Sequence, residues 1–288
     1  MRDYMKKIKN SNKKPVTIGG IVLQIVLLII AFIQIYPFIW LLLFSFKSNG
    51  EIFGSNVVGF PNKLLWENYQ QALTNGRVGI YFINSALVTV VTIMISSVVA
   101  AMASYGIVRM KWKLSGVTLI FFLMGLMIPI HAALLPLFMF FSKLKQLNSY
   151  WSLIFPYVGF AIPMAIYIFS GFLRDIPKEM EESALLDGCS IYNSFFRIIL
   201  PLIKPAIATV SIFTFLSSWN ELMFAVTFIS KWQYRTLTVG IQQMVGQYTT
   251  SWGPIGAGLV IATIPTLLIY CLLSNQVQKS LISGAVKG

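Results

Sequence analysis

Four carboxylates, Glu179, Glu181, Glu182 and Asp187, fall inside the stretch from Pro177 to Pro201, and Asp175 stands just ahead of it. Together they are five of the nine acidic residues in the chain. At helical spacing Glu179 and Glu182 share an acidic face, suited to pairing with arginine or lysine on a partner. Met180, Ser183, Ala184 and Asp187 share a neighbouring, mostly small face that permits close approach. Pro177 fits the first turn of a helix. Gly188 fits its stop, because glycine takes a left-handed backbone without strain. Ser190 can cap a second short helix, which Pro201 would close or bend. The pattern suits a docking element, and a merely solvated amphipathic helix would carry the same pattern.

A second constellation is Trp219, Asn220 and Glu221 in the run SSWNELMFAV. An aromatic face beside an amide and a carboxylate suits a sugar, whose ring packs on aromatics while its hydroxyls need hydrogen bonds. Glu221 lies inside an apolar run, where a carboxylate costs about 2.5–3.5 kcal/mol on insertion scales unless it is paired or faces water. It needs a partner on another helix, on a second subunit or in an aqueous cavity. Structural glue between neighbouring helices and a role in a solute path both meet that need.

Other chemistry has little to stand on. No G-x-x-x-x-G-K-[ST] phosphate loop is present, so ATP is not held by that device. His131 is the only histidine, which leaves a zinc or haem cluster unsupported. It follows Pro129, and the reading favoured for it is local satisfaction of carbonyls that the proline frees. Cys189 and Cys271 have no metal-ligand spacing and read as reduced packing residues. No nucleophile–base pair is visible. We therefore expect no catalytic residue, cofactor or metal ligand on this chain.

These residues must be positioned by membrane spans. Of the 288 residues 57% are hydrophobic and only 11% charged, against about 25% charged in a soluble domain. The expected class is an all-α integral membrane protein of six spans, at about 18–46, 81–108, 114–141, 151–172, 202–229 and 254–273, each long enough for a bilayer core. Pro37 would tilt or bend the first. That run is far longer than a signal core and has no small-residue cleavage site. A basic segment 1–17 precedes a transmembrane domain 18–274, whose elbow is 175–201, and a tail 275–288 ends the chain. With both ends inside, inner segments hold fifteen of the 22 lysines and arginines. The net charge of +13 is then a topology signal, and no nucleic-acid partner is implied.

The elbow resembles the cytoplasmic "EAA" motif of ABC importer permeases: Glu-Ala-Ala, three residues, Gly, nine residues, Ile, one residue, Leu-Pro. Here it reads Glu182-Ser183-Ala184, Gly188, Ile198 and Leu200-Pro201 with every spacing kept, and Ser183 replaces the middle alanine. The runs FINSALVT, ASYGIVRMKW, MIPIHAALLPLF, WNELMFAV and the terminal GAVKG are similar to the maltose-type carbohydrate permeases, and to the shorter of their two permease subunits. The resemblance covers nearly the whole chain beyond residue 20.

That resemblance implies partners and a mechanism. A second homologous permease would complete the pore, with lipid around it, in a prokaryotic plasma membrane. Two copies of a cytoplasmic ABC ATPase, carrying the ATP and magnesium, would dock on the helix around Glu182–Gly188, including Asp187. ATPase closure would draw both docking helices together and open the cavity outward to an extracytoplasmic sugar-binding protein. The loop from Lys231 to Gly253 would touch that protein, and the tail Gly284–Gly288 would reach the ATPases. Two other classes stay in view. An ion-coupled carrier would use Glu221 as its ion or proton site and show repeats and matched broken helices, which the sequence does not display. A membrane scaffold would merely anchor an ATPase. The sugar, the share of its site on this subunit, the ATPase and the choice of homodimer or heterodimer are left open.

Overall fold

The structure is a computed structural model that describes residues 18–285 apart from 55, 111 and 247–249, with side chains described as far as 273. The basic segment 1–17 and the last three residues of the tail lie outside the described residues. The main helices are α1 (Ile18–Phe44), α2 (Glu67–Thr74), α3 (Val78–Val108), α4 (Ser115–Met124), α5 (Leu134–Lys143) and α6 (Trp151–Asp175). They continue as α7 (Glu179–Leu186), α8 (Lys204–Trp219), α9 (Met223–Phe228), α10 (Leu237–Gln242) and α11 (Trp252–Ala285).

Four helices are long and apolar enough to cross a membrane: α1, α3, α6 and the part of α11 up to Leu273. Two bent pairs raise the number to six if each pair is one span. The first joins 115–127 to 130–143 at 90°. Pro129 explains it, because it lacks an N–H and drives Ile128 into an extended backbone (φ −78°, ψ 117°). The second joins 191–202 to α8 at 73°. Before that bend the backbone widens into a π-turn at Phe195–Ile199, which accommodates the missing N–H of Pro201.

Two expectations need correction. The fifth apolar run is not one helix over 202–229. It bends at Ile203, runs as α8 to Trp219, breaks at residues 220–222 and restarts as α9. The third run is likewise broken, so the chain does contain interrupted helices. Pro37, by contrast, sits inside a continuous α1, and α11 runs through Pro265 to Ala285.

α3 and α6 form the spine. α3 buries small residues (Ser96, Ser97, Ala100, Ala101 and Ser104), which lets the backbones approach closely. Ser104 donates to the Ile166 carbonyl across the gap. One apolar cluster gathers the later halves of both helices with Phe195, Ile199, Ile203 and Val210. A second gathers the start of α6 with Phe141 of α5 and Phe224 and Phe228 of α9. The second halves of both broken spans therefore pack on each other. α1 stays mostly exposed, with only Phe44 buried, where its end meets Gly256 of α11.

Candidate functional site

The elbow begins with α7, whose first turn holds Glu179, Glu181 and Glu182, the end of a helix dipole that favours negative charge. It stops at Gly188, at φ +81°. The Cys189 N–H reaches the Ala184 carbonyl at 2.9 Å and the Gly188 N–H reaches Leu185 at 3.1 Å, the paired bonds of a Schellman stop. Two residues later Ser190 accepts from the Asn193 N–H and opens the next helix. Glu182, Ser183, Leu185, Leu186, Asp187 and Gly188 are exposed, Leu186 at 89%. Ala184 is buried, so the small face foreseen for a partner is split: Ala184 packs inward and Ser183 stays outward, its hydroxyl bonded to the Glu179 carbonyl. Ile198 and Leu200 are half-buried and Pro201 is exposed.

What holds α7 in place is a residue that spacing did not single out. Glu181 pairs with Arg109 at the end of α3, Oε1 to Nε 2.9 Å, and accepts from the Tyr105 hydroxyl at 3.2 Å. Arg109 Nη2 also donates to the Ile176 carbonyl at 2.7 Å, tying the end of α6 to the same point. The available signal was the first residue of the short basic turn Arg109, Lys111 and Lys113 that closes one apolar run, and a carboxylate opening a later helix.

Trp219, Asn220 and Glu221 are consecutive but point to different surroundings. Trp219 is buried, stacked on Phe215 with centroids 5.3 Å apart, and donates its indole N–H to the Ala262 carbonyl of α11. Asn220 is exposed and its amide donates back to Leu216. Glu221 is buried in the break between α8 and α9. Its carboxylate accepts from the Phe224 N–H at 2.8 Å and the Ala225 N–H at 3.1 Å, capping α9, and from the Tyr157 hydroxyl of α6. Its backbone carbonyl accepts from Thr238 at 2.8 Å. This arrangement is the helix-to-helix glue foreseen as one alternative, and it explains the break: the side chain supplies the acceptors that a continuing helix would have supplied.

Elsewhere, His131 is exposed in the turn after Pro129, and among the described residues its ring makes no hydrogen bond, contrary to the local role expected for it. Among the described residues no group of three His, Cys, Asp or Glu is placed to hold a metal ion. Asn84 and Ser85, inside FINSALVT, fix the loop after α9. The Asn84 amide donates to the Gln233 and Arg235 carbonyls at 2.8 and 2.9 Å, and Ser85 accepts from the Leu237 N–H at 2.8 Å.

The chain is similar along most of its length to transport proteins. Residues 92–284 match the family described as binding-protein-dependent transport system inner membrane component. A probable ABC transporter permease protein, YurM of Bacillus subtilis, is 34% identical over 99% of this chain and 95% of its own. The trehalose/maltose transport system permease protein MalG of Thermococcus litoralis is 35% identical over 93% and 97%. The fold is also that of a chain in the crystal structure of a bacterial ABC transporter involved in the import of the acidic polysaccharide alginate, with TM-score 0.80 and 19% identity over 91% of this chain and 98% of that one. Several apolar helices, an exposed acidic elbow and this match agree: the chain belongs to the family of binding-protein-dependent transport system inner membrane components, and is a transport component of an ABC importer rather than an enzyme.

Proposed function

We propose that this chain is one of the two pore-forming permeases of an ATP-driven, binding-protein-dependent importer of a sugar or oligosaccharide. The observation that carries the reading is the elbow: α7, its glycine stop and the exposed Leu185–Asp187 tip stand outside the packed spans yet are bolted to them through Glu181 and Arg109. Six spans with both termini in the cytoplasm would put that elbow on the inner face. Glu182, Ser183, Asp187 and Gly188 would then dock on a cytoplasmic ATPase, while Ala184, Ile198 and Leu200, with the exposed Pro201 after them, shape the turn behind them. Two ATPase copies, a second homologous permease and an extracytoplasmic sugar-binding protein complete the assembly. The relatives named for trehalose/maltose and for diacetylchitobiose uptake support a sugar cargo.

ATPase closure would pull on α7, and the ion pair would pass the pull to α3 and α6. Such a lever works only if nucleotide favours one state of the pore over the other. Asn220, exposed at the break in the fifth span, is the member of its triplet available to solute, while Trp219 and Glu221 hold the break in shape. The interrupted third and fifth spans are a feature that a gradient-coupled carrier would share. Proteoliposomes holding the whole assembly separate the two readings. Uptake should require ATP and binding protein, and uptake by this polypeptide alone on a sodium or proton gradient would overturn the proposal.

A further inference from the structure

Beside the elbow lies a cavity of about 370 Å³ whose charged lining is Arg109, Arg174 and Lys178. Arg109 already uses Nε on Glu181 and Nη2 on the Ile176 carbonyl. Arg174 and Lys178 are exposed, and among the described residues neither side chain makes an ion pair or a hydrogen bond. Among the described residues no carboxylate lines the cavity: Glu181 is taken by Arg109, and Asp175 and Glu179 flank the two cations in sequence without forming its wall. Two like charges held at one opening repel each other, and an anion in the opening relieves that repulsion.

Part of the remaining wall is apolar. Val108 of α3 and Leu119 of α4 form it, and one and two turns on from Gly116, which also lines the cavity, Ile120 and Met124 of α4 are 61% and 50% exposed. A cationic opening therefore continues into an outward-facing apolar surface of a candidate span. Trp112 is 43% exposed in the adjoining turn, with its indole N–H on the Gly106 carbonyl, the residue type that sits at a headgroup level. An acidic protein segment would match the cations but not the apolar face beside them. A phospholipid matches both.

We infer that this cavity holds the phosphate of an anionic phospholipid, with its acyl chains along Ile120 and Met124. Basic pockets between spans on the cytoplasmic side are suited to such headgroups. The inference rests on the proposed topology, which places the Arg109–Ser115 turn and the elbow on the inner leaflet.

Native mass spectrometry of the purified assembly, with phosphatidylglycerol or phosphatidylcholine added, tests the site. The wild-type protein should retain phosphatidylglycerol preferentially. The double variant R174A/K178A should weaken that retention by about tenfold or more, as two lost cations predict, and R174K/K178R should keep it. Equal retention of both lipids, or unchanged retention in the double alanine variant, overturns the inference. So does displacement of the lipid by inorganic phosphate at equal concentration, which would mark a site for the free ion. If both cations matter only for capture of the ATPase, the cavity is a protein contact and the inference fails. Topology is read separately, by labelling Lys113→Cys with an impermeant maleimide in a background lacking Cys189 and Cys271. Labelling from the outside refutes the orientation, and lost lipid selectivity with correct labelling refutes the site alone.

Discussion

Glu181 Oε1 lies 2.9 Å from Arg109 Nε, with the two side chains only 12% and 5% exposed. This withdrawn ion pair fastens the acidic helix of the elbow to the end of α3. Because Arg109 also holds the Ile176 carbonyl, α3, α6 and α7 meet at a single guanidinium.

Removing one partner should therefore damage more than a surface pair would. Arg109→Ala leaves the Glu181 carboxylate withdrawn and without its cation, at a cost of ~3 kcal/mol for a buried pair. Thermal unfolding of the detergent-solubilised protein should shift down, and ATP-driven uptake should fall. The swap R109E/E181R should recover part of both. A swap no better than the worse single variant would show that charge pairing is not what joins the helices.

Gly188→Val tests the turn. A side chain there meets open space, so the cost is conformational, not steric, at roughly 1–2 kcal/mol for an L-residue in the left-handed region. The permease should still reach the membrane but co-purify poorly with its ATPase. Gly188→Asn should be milder, since asparagine visits that region more readily. Normal co-purification and uptake by the valine variant would remove the turn from the docking account.

Glu221→Ala removes the acceptor for two N–H groups of α9 and for the Tyr157 hydroxyl. Loss of a helix cap alone costs about 1–2 kcal/mol. We expect lower thermal stability, with uptake reduced through the distorted break. Tyr157→Phe should show a smaller drop. If Glu221→Ala leaves stability unchanged yet abolishes uptake, the carboxylate serves the solute rather than the fold.

Gly240→Ala should be strongly destabilising, because an added Cβ would overlap the body of the Tyr81 ring. Overpacking of this kind costs typically 1–3 kcal/mol. The measurement is the yield of monodisperse protein and its melting temperature. Wild-type behaviour would mean that α10 slides away from α3 freely.

Glu51 carries the pH dependence that the structure supports outside the spans. Its carboxylate accepts the Asn62 N–H at 2.7 Å and, more weakly, the Ser48 N–H, and the Asn62 bond holds its pKa below the ordinary 4.5 despite some desolvation. A lowered folded-state value means that the stabilisation is present above the ordinary carboxylate pKa and is lost as pH falls through the folded value. Hydrogen exchange of the 48–62 loop should rise in that acid window in the wild type. Glu51→Gln should raise exchange at neutral pH and flatten the dependence.

The residue order by itself determined the class, most of the span positions and the elbow's stop. Each follows from local chemistry: apolar length, glycine at a left-handed turn, and serine at a helix start. It also identified the elbow motif, since that signal is a fixed run of residue types. What only tertiary structure decided is how those residues are used. Trp219, Asn220 and Glu221 look like one site in a row, yet Trp219 serves α11, Asn220 faces out and Glu221 caps α9. Glu181 looked like one acidic residue among four, and Arg109, seventy-two positions earlier, made it the anchor. Partners so far apart in sequence meet only through the packing of α3 on α6, and that packing sums many small apolar contacts that no single spacing encodes.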